Sequence, residues 1–65
     1  MDISFTGHAE EQMVLRGIGR ELVIKTIRRG SKTEQTDGWL SIYSYVAVAY
    51  KIRGNRYIIK TVMVI

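Results

Sequence analysis

The chain has 65 residues, one domain's worth and near the lower limit for a self-supporting core, because a fold of this size buries only about 60% of its unfolded surface. A hydrophobic content of 46% with 25% charged residues excludes a disordered chain, and the absence of cysteine excludes disulfides and thiolate metal sites. Ten Lys and Arg against six Asp and Glu give a net charge of +4 and a pI near 9.8, which suits either a polyanionic partner or simple solubility.

The opening "MDISFTGH" has no basic region followed by an apolar run, and no stretch approaches the roughly 20 apolar residues of a membrane helix. A cytoplasmic location, with no membrane contact, is the resulting expectation. "DISF" is a short extended lead-in. Thr6 then has the hydroxyl of an N-cap for a helix of about ten residues, with Glu10 and Glu11 early, Arg16 late and Gly17 to end it in a left-handed conformation. A second helix follows in "RELVIKTIRRG", where Leu22, Val23, Ile24 and Ile27 form an apolar stripe and Glu21 stands four residues before Lys25. Gly19 is a weak N-cap for it, and Gly30 closes it.

From Ser31 the period changes to two. "SKTEQT" alternates like an exposed edge strand, Asp37 and Gly38 mark a hairpin turn, and "WLSIY" resumes as a strand. "VAVAYKI" and "RYIIKTVMVI" are two more strands, joined at Gly54 and Asn55 by a turn of type II′ character. The join "IYSYVA" fits one long bent strand or a tight hairpin near Ser44 and Tyr45. "VMVI" is apolar on both faces and calls for cover. The expected architecture is therefore α+β, with two N-terminal helices packed on one face of a three- to four-stranded antiparallel sheet in a single domain of residues 1–65.

His8, Gln12 and Arg16 fall within about 80° of one another on the first helix, beside Ala9 and Met13. One reading makes this seam the wall of a groove, where Arg16 holds a phosphate by its fork of donors and His8 moves a proton. The other makes Arg16 a helix-end cap, His8 the closure of the first turn and Gln12 boundary surface. Trp39, Tyr43, Tyr45, Tyr50 and Tyr57, interleaved with basic residues, either stack on bases or pack the sheet faces. One histidine among scattered carboxylates is not a zinc constellation, and the glycines do not spell a phosphate loop, so no metal or cofactor is expected.

The stretch "FTGHAEEQMVLRGIGRELVIKTI" resembles the opening of a widespread prokaryotic family of small uncharacterised domains, in which His-Ala, then Arg-Met or Gln-Met, then Arg-Gly-Ile precede a second helix. "VAVAYKI" and "IIKTVMVI" resemble its paired strands. That family looks like a distant branch of the RelE/ParE-type toxins, many of which cleave messenger RNA. The resemblance marks His8, Gln12, Arg16, Gly17, Lys60 and Thr61, and it departs from the pattern at Lys60, usually apolar, at Met63, often tyrosine, and at Ala47, where RelE-like proteins carry arginine. Lys51, Arg53 and Arg56 cluster at the other end of that hairpin and stand in for the missing arginine.

What the resemblance implies is a toxin-like endoribonuclease of a toxin–antitoxin module, cleaving RNA by attack of a ribose 2′-hydroxyl without metal. His8 would be the base, Arg16 and Lys60 would stabilise the phosphorane charge, and Gln12, Lys51, Arg53, Arg56 and Thr61 would contact RNA. The alternative is a non-catalytic module that binds nucleic acid or protein through the same surface. Uncovered "VMVI" and the unprotected "SKTEQT" edge imply a homodimer or an antitoxin-like segment as partner.

Overall fold

A strand, not a helix, opens the chain. In the computed structural model, which describes residues 1–65, the order is β1 (Asp2–Phe5), α1 (Gly7–Arg16), α2 (Arg20–Arg29), β2 (Ser31–Gln35), β3 (Gly38–Tyr43), β4 (Val46–Arg53) and β5 (Arg56–Val64). The strands form one sheet in the order β1-β5-β4-β3-β2. This corrects the expected sheet of three or four antiparallel strands: there are five, and β1 pairs in parallel with β5, Ile3 opposite Tyr57 and Phe5 opposite Ile59. The extended lead-in thus becomes an edge strand that covers half of β5, and the chain passes from it into the helical layer through α1.

Local chemistry sets both ends of α1. The Thr6 hydroxyl accepts from the Ala9 N–H at 3.1 Å and donates to the Lys60 carbonyl at 3.3 Å, so one side chain caps the helix and fastens it to β5. Gly17 ends the helix at φ 66°, its N–H reaching the Met13 and Val14 carbonyls. At the start of α2, Gly19 supplies no side-chain cap, but the Arg20 guanidinium lies 5.6 Å from the centre of the Phe5 ring and ties the helix to β1. Gly30 does close α2, although not by left-handed geometry, since its φ is −75°. Its need is space: a β-carbon there would press on the Thr26 carbonyl, the Ser41 hydroxyl and the Ile42 carbonyl.

Both helices pack on one sheet face. Ala9, Ile18, Val23, Ile27, Val46, Val48, Tyr50, Ile59 and Val62 make the core, with Ile3, Phe5, Met13, Leu22, Trp39 and Tyr57 against it. Strand alternation sends Leu40, Ile42, Ala47, Ala49, Lys51 and Met63 to the opposite face, which no helix covers. "VMVI" is accordingly graded and not uniformly buried: Val62 is buried, Met63 half-buried, and Val64 and Ile65 exposed.

The ambiguous join resolves as a hairpin turning at Ser44 and Tyr45, with Tyr43 opposite Val46 and Ser44 at φ 57°. Gly54 has a φ of 59° while Asn55 does not take a positive value, the sign pattern of a type II′ turn. The β2–β3 turn centres on Thr36 and Asp37, with Gly38 already paired to Gln35. β2 is exposed at every residue, the edge strand its alternation indicates. No helix is long and apolar enough to cross a membrane.

Candidate functional site

β5 carries the feature on which the site turns. Tyr50 pairs with Ile59 and Ala49 with Thr61, which leaves Lys60 as the extra residue of a bulge. Bulging breaks the alternation between Ile59 and Val62, both fully buried on the helix side, and lets Lys60 and Thr61 leave the strand in directions that a regular strand would not give.

Thr61 meets the chain's only histidine. His8 stands in the first turn of α1, which Thr6 has fastened to β5, and its Nε2 lies 3.1 Å from the Thr61 Oγ1. The imidazole is solvent-exposed and held at one nitrogen, an arrangement able to accept or deliver a proton. Lys60 takes the other direction. Its Nζ donates to the Asp37 carbonyl in the β2–β3 turn and lies 3.7 Å from the Asp37 carboxylate.

The helix seam is only partly assembled. Gln12 is half-buried in the middle of α1, whereas Arg16 is its last residue and exposed. Eight residues of helix separate His8 from Arg16, about 12 Å along the axis, so the two address different groups of a ligand and not one phosphate.

The other basic residues meet at the β4–β5 end of the uncovered face. Arg53 pairs with Arg56 and Lys51 with Ile58, and a shallow groove there is lined by Asp2, Lys51, Arg53, Asn55, Arg56 and Ile58. Arg56 Nε donates to the Asp2 carboxylate at 3.3 Å, with both side chains more than half exposed. Sequence reasoning finds the three cations but misses Asp2 and Asn55 as groove residues and Asp37 as the partner of Lys60. Asp2 arrives through a parallel pairing that has no local signal. Asn55 was legible only as a turn residue.

The aromatic residues divide the other way. Tyr50 is buried, Trp39 and Tyr57 pack against the core, and Tyr43 pairs with Val46 on the same face. Burial raises the Tyr50 phenol above its ordinary value, with Tyr57, ring centre 5.7 Å away, adding to the shift. Only Tyr45, in its turn, is freely exposed among these rings. Tyr45 is thus the ring most open to base stacking, while Tyr50 is committed to the core and Trp39, Tyr43 and Tyr57 are half-buried.

No group of three or more His, Asp or Glu side chains converges in a way that would hold a metal ion. The features together define a small α+β domain whose exposed histidine is clamped between its first helix and its last long strand, with a basic groove at one end of an open sheet face. The chain belongs to the family described as a domain of unknown function, DUF4258, whose model matches residues 5–64. No curated protein and no solved structure matches the chain significantly.

Proposed function

We propose that this chain is an RNA-directed, toxin-like domain related to the RelE/ParE-type toxins, a metal-independent endoribonuclease with His8 as its acid–base group. The observation that carries this reading is the 3.1 Å contact between His8 Nε2 and Thr61 Oγ1, which joins two positions the family resemblance marks from opposite ends of the chain. His8 takes the proton from a ribose 2′-hydroxyl as that oxygen attacks the adjacent phosphorus, and the 5′-oxygen leaves with a proton from water or from the same imidazolium. The products are a 2′,3′-cyclic phosphate and a 5′-hydroxyl. Arg16 holds a neighbouring phosphate, Gln12 lines the path between them, and the +4 charge draws the strand in.

Two observations favour a second reading, a module that binds RNA without cutting it. Lys60 is engaged by Asp37, so it reaches a phosphorane only by leaving two acceptors, and Arg16 is a helix length from His8. A partner, an antitoxin-like segment or a second copy, has the apolar face around Leu40, Ile42 and Met63, which no helix covers, to dock on. Light scattering across a concentration series reads the second-copy version directly.

One preparation separates the two readings. Single-stranded RNA incubated with the pure protein in EDTA should be cleaved, and His8→Ala should lower the rate by about two to four orders of magnitude while the variant stays folded. Arg16→Ala, which removes a contact to a neighbouring phosphate and not to the reacting one, should weaken RNA binding more than it lowers the rate at saturating RNA. Intact RNA that is nevertheless retained, with retention weakening as salt rises, assigns the chain to the binding module.

A further inference from the structure

We infer that the groove at the β4–β5 end is a phosphate-binding subsite in which Asp2 occupies Arg56 until a phosphate group displaces it. Three cations converge there on one open face. Lys51 and Arg53 alternate on β4, Arg56 faces Arg53 across the hairpin, and the turn adds the Asn55 side-chain amide. Like charges this close repel one another unless an anion joins them. The only carboxylate among the groove's lining residues is Asp2, and it satisfies Arg56 alone: neither Lys51 nor Arg53 has an ion-pair partner. The groove thus holds one internal negative charge against three positive ones. A phosphate presents more acceptor oxygens than Asp2 and can be shared by two forks, which is the geometry arginine recognises.

The internal pair is made to be exchanged. Both its side chains are more than half exposed and the contact is a single 3.3 Å bond, so solvent screening keeps it weak. Asp2 is also the first residue of an edge strand paired on one side only, with nothing else holding its carboxylate. Displacing it uncovers no buried group. Five residues of β5 separate Arg56 from Thr61, about 16 Å along a strand, so a phosphate in the groove lies a few nucleotides from the one facing His8. The groove then fixes the register of a strand and takes no part in the chemistry.

This inference rests on the RNA-directed reading only for the source of the phosphate, and its test needs no cleavage. The amide and Asn55 side-chain resonances are followed while inorganic phosphate is titrated at constant ionic strength, with chloride as the control. Saturable shifts at Lys51, Arg53, Asn55, Arg56 and Asp2 are expected. Asp2→Asn should tighten phosphate binding about two- to fivefold, the range an exposed ion pair commands. Arg53→Ala, which breaks no bond within the fold, should weaken it by at least about fivefold. A short RNA without terminal phosphates that shifts the same resonances names the backbone diester as the source, whereas shifts seen only with a 5′-phosphorylated oligonucleotide name a terminal phosphate. Shifts no larger than those from chloride, or an Asp2→Asn variant that is folded and binds no more tightly, overturn the subsite. Phosphate bound in the groove with RNA left intact would retain this inference while removing the ribonuclease.

Discussion

The Ser41 hydroxyl donates to the Thr26 carbonyl at 2.6 Å, joining the middle of β3 to the last turn of α2 where both residues are fully buried. The same carbonyl accepts the Gly30 N–H at 2.9 Å, and the Thr26 hydroxyl donates to the Leu22 carbonyl at 2.8 Å. Two polar side chains are thereby placed in the core with every donor used, and they fix the height of α2 above the sheet. Ser41→Ala leaves the Thr26 carbonyl with its backbone donor, so no buried group is orphaned. The expected loss is about 0.5–1.5 kcal/mol. In a domain of this size that lowers the melting temperature by roughly 4–8 °C per kcal/mol, readable by circular dichroism.

Gly30 and Gly17 should respond to alanine for different reasons and by different amounts. At Gly30 the backbone conformation is ordinary but the β-carbon has no room, because the Ser41 hydroxyl would lie at 2.5 Å and the Ile42 carbonyl at 2.7 Å. Those neighbours are backbone or a fully bonded side chain, so β3 must move away from α2. At Gly17 there is open space, and the cost is the left-handed φ of 66°, about 1–2 kcal/mol for alanine. Urea midpoints should therefore rank wild type above Gly17→Ala above Gly30→Ala. Gly17→Asn should recover part of the loss, since asparagine tolerates that region, whereas Gly30→Asn should be the worst of the four.

How far these features are legible depends on how local their causes are. Thr6 and Gly17 announce both ends of α1 because a capping hydroxyl and a left-handed glycine act within a turn of the residues they serve. The β2–β3 and β4–β5 hairpins are legible for the same reason, whereas the turn at Ser44 and Tyr45 carries no glycine and its sequence fits a bent strand equally well. The parallel pairing of β1 is not legible: four residues of "DISF" show extended backbone but carry nothing that selects β5, and only the folded helical layer brings the strand there. The bulge at Lys60 is similarly silent, since unbroken alternation would set Lys60 opposite in facing to both neighbours. Of the candidate site, the cations on β4 and β5 are visible as a hairpin cluster. The family resemblance marks His8 and Thr61 separately, and neither it nor the spacing foretells that the two side chains meet.

Alkaline pH should act through Tyr50. Its phenol sits beneath the helices and is held neutral to a higher pH than in the unfolded chain, where it titrates near 10.0. A folded-state pKa raised in this way contributes stability that is fully present below the unfolded value and is lost as pH rises through the folded one. The urea midpoint of the wild type should therefore fall steadily above about pH 10. Tyr50→Phe keeps the ring against Tyr57 and removes the titrating oxygen, so its midpoint should fall less over the same window. Equal declines in the two proteins would assign the alkaline loss to other groups.

Lys60 is expected to act as a tie within the fold more than as a contact to phosphate. Its ammonium donates to the Asp37 carbonyl and faces the Asp37 carboxylate at 3.7 Å, and its side chain is only one-third exposed against three-quarters for Asp37. The bond spans the sheet from β5 to the β2–β3 turn, next to Gly38, whose missing β-carbon lets that turn approach the Tyr50 carbonyl. Lys60→Met keeps the stem and removes the charge. It should lower stability by up to about 1 kcal/mol, because the pair is partly screened. Salt dependence then distinguishes the roles. If Lys60 stays on Asp37 when RNA binds, the slope of log affinity against log salt should match the wild type, whereas Arg53→Ala should reduce its magnitude by about 0.7, the loss of one single-strand phosphate contact. A Lys60→Met slope reduced by the same amount would show that the ammonium leaves Asp37 for the ligand. Asp37→Asn would then strengthen RNA binding by freeing that cation, an effect separable by its salt slope from the general gain of one positive charge.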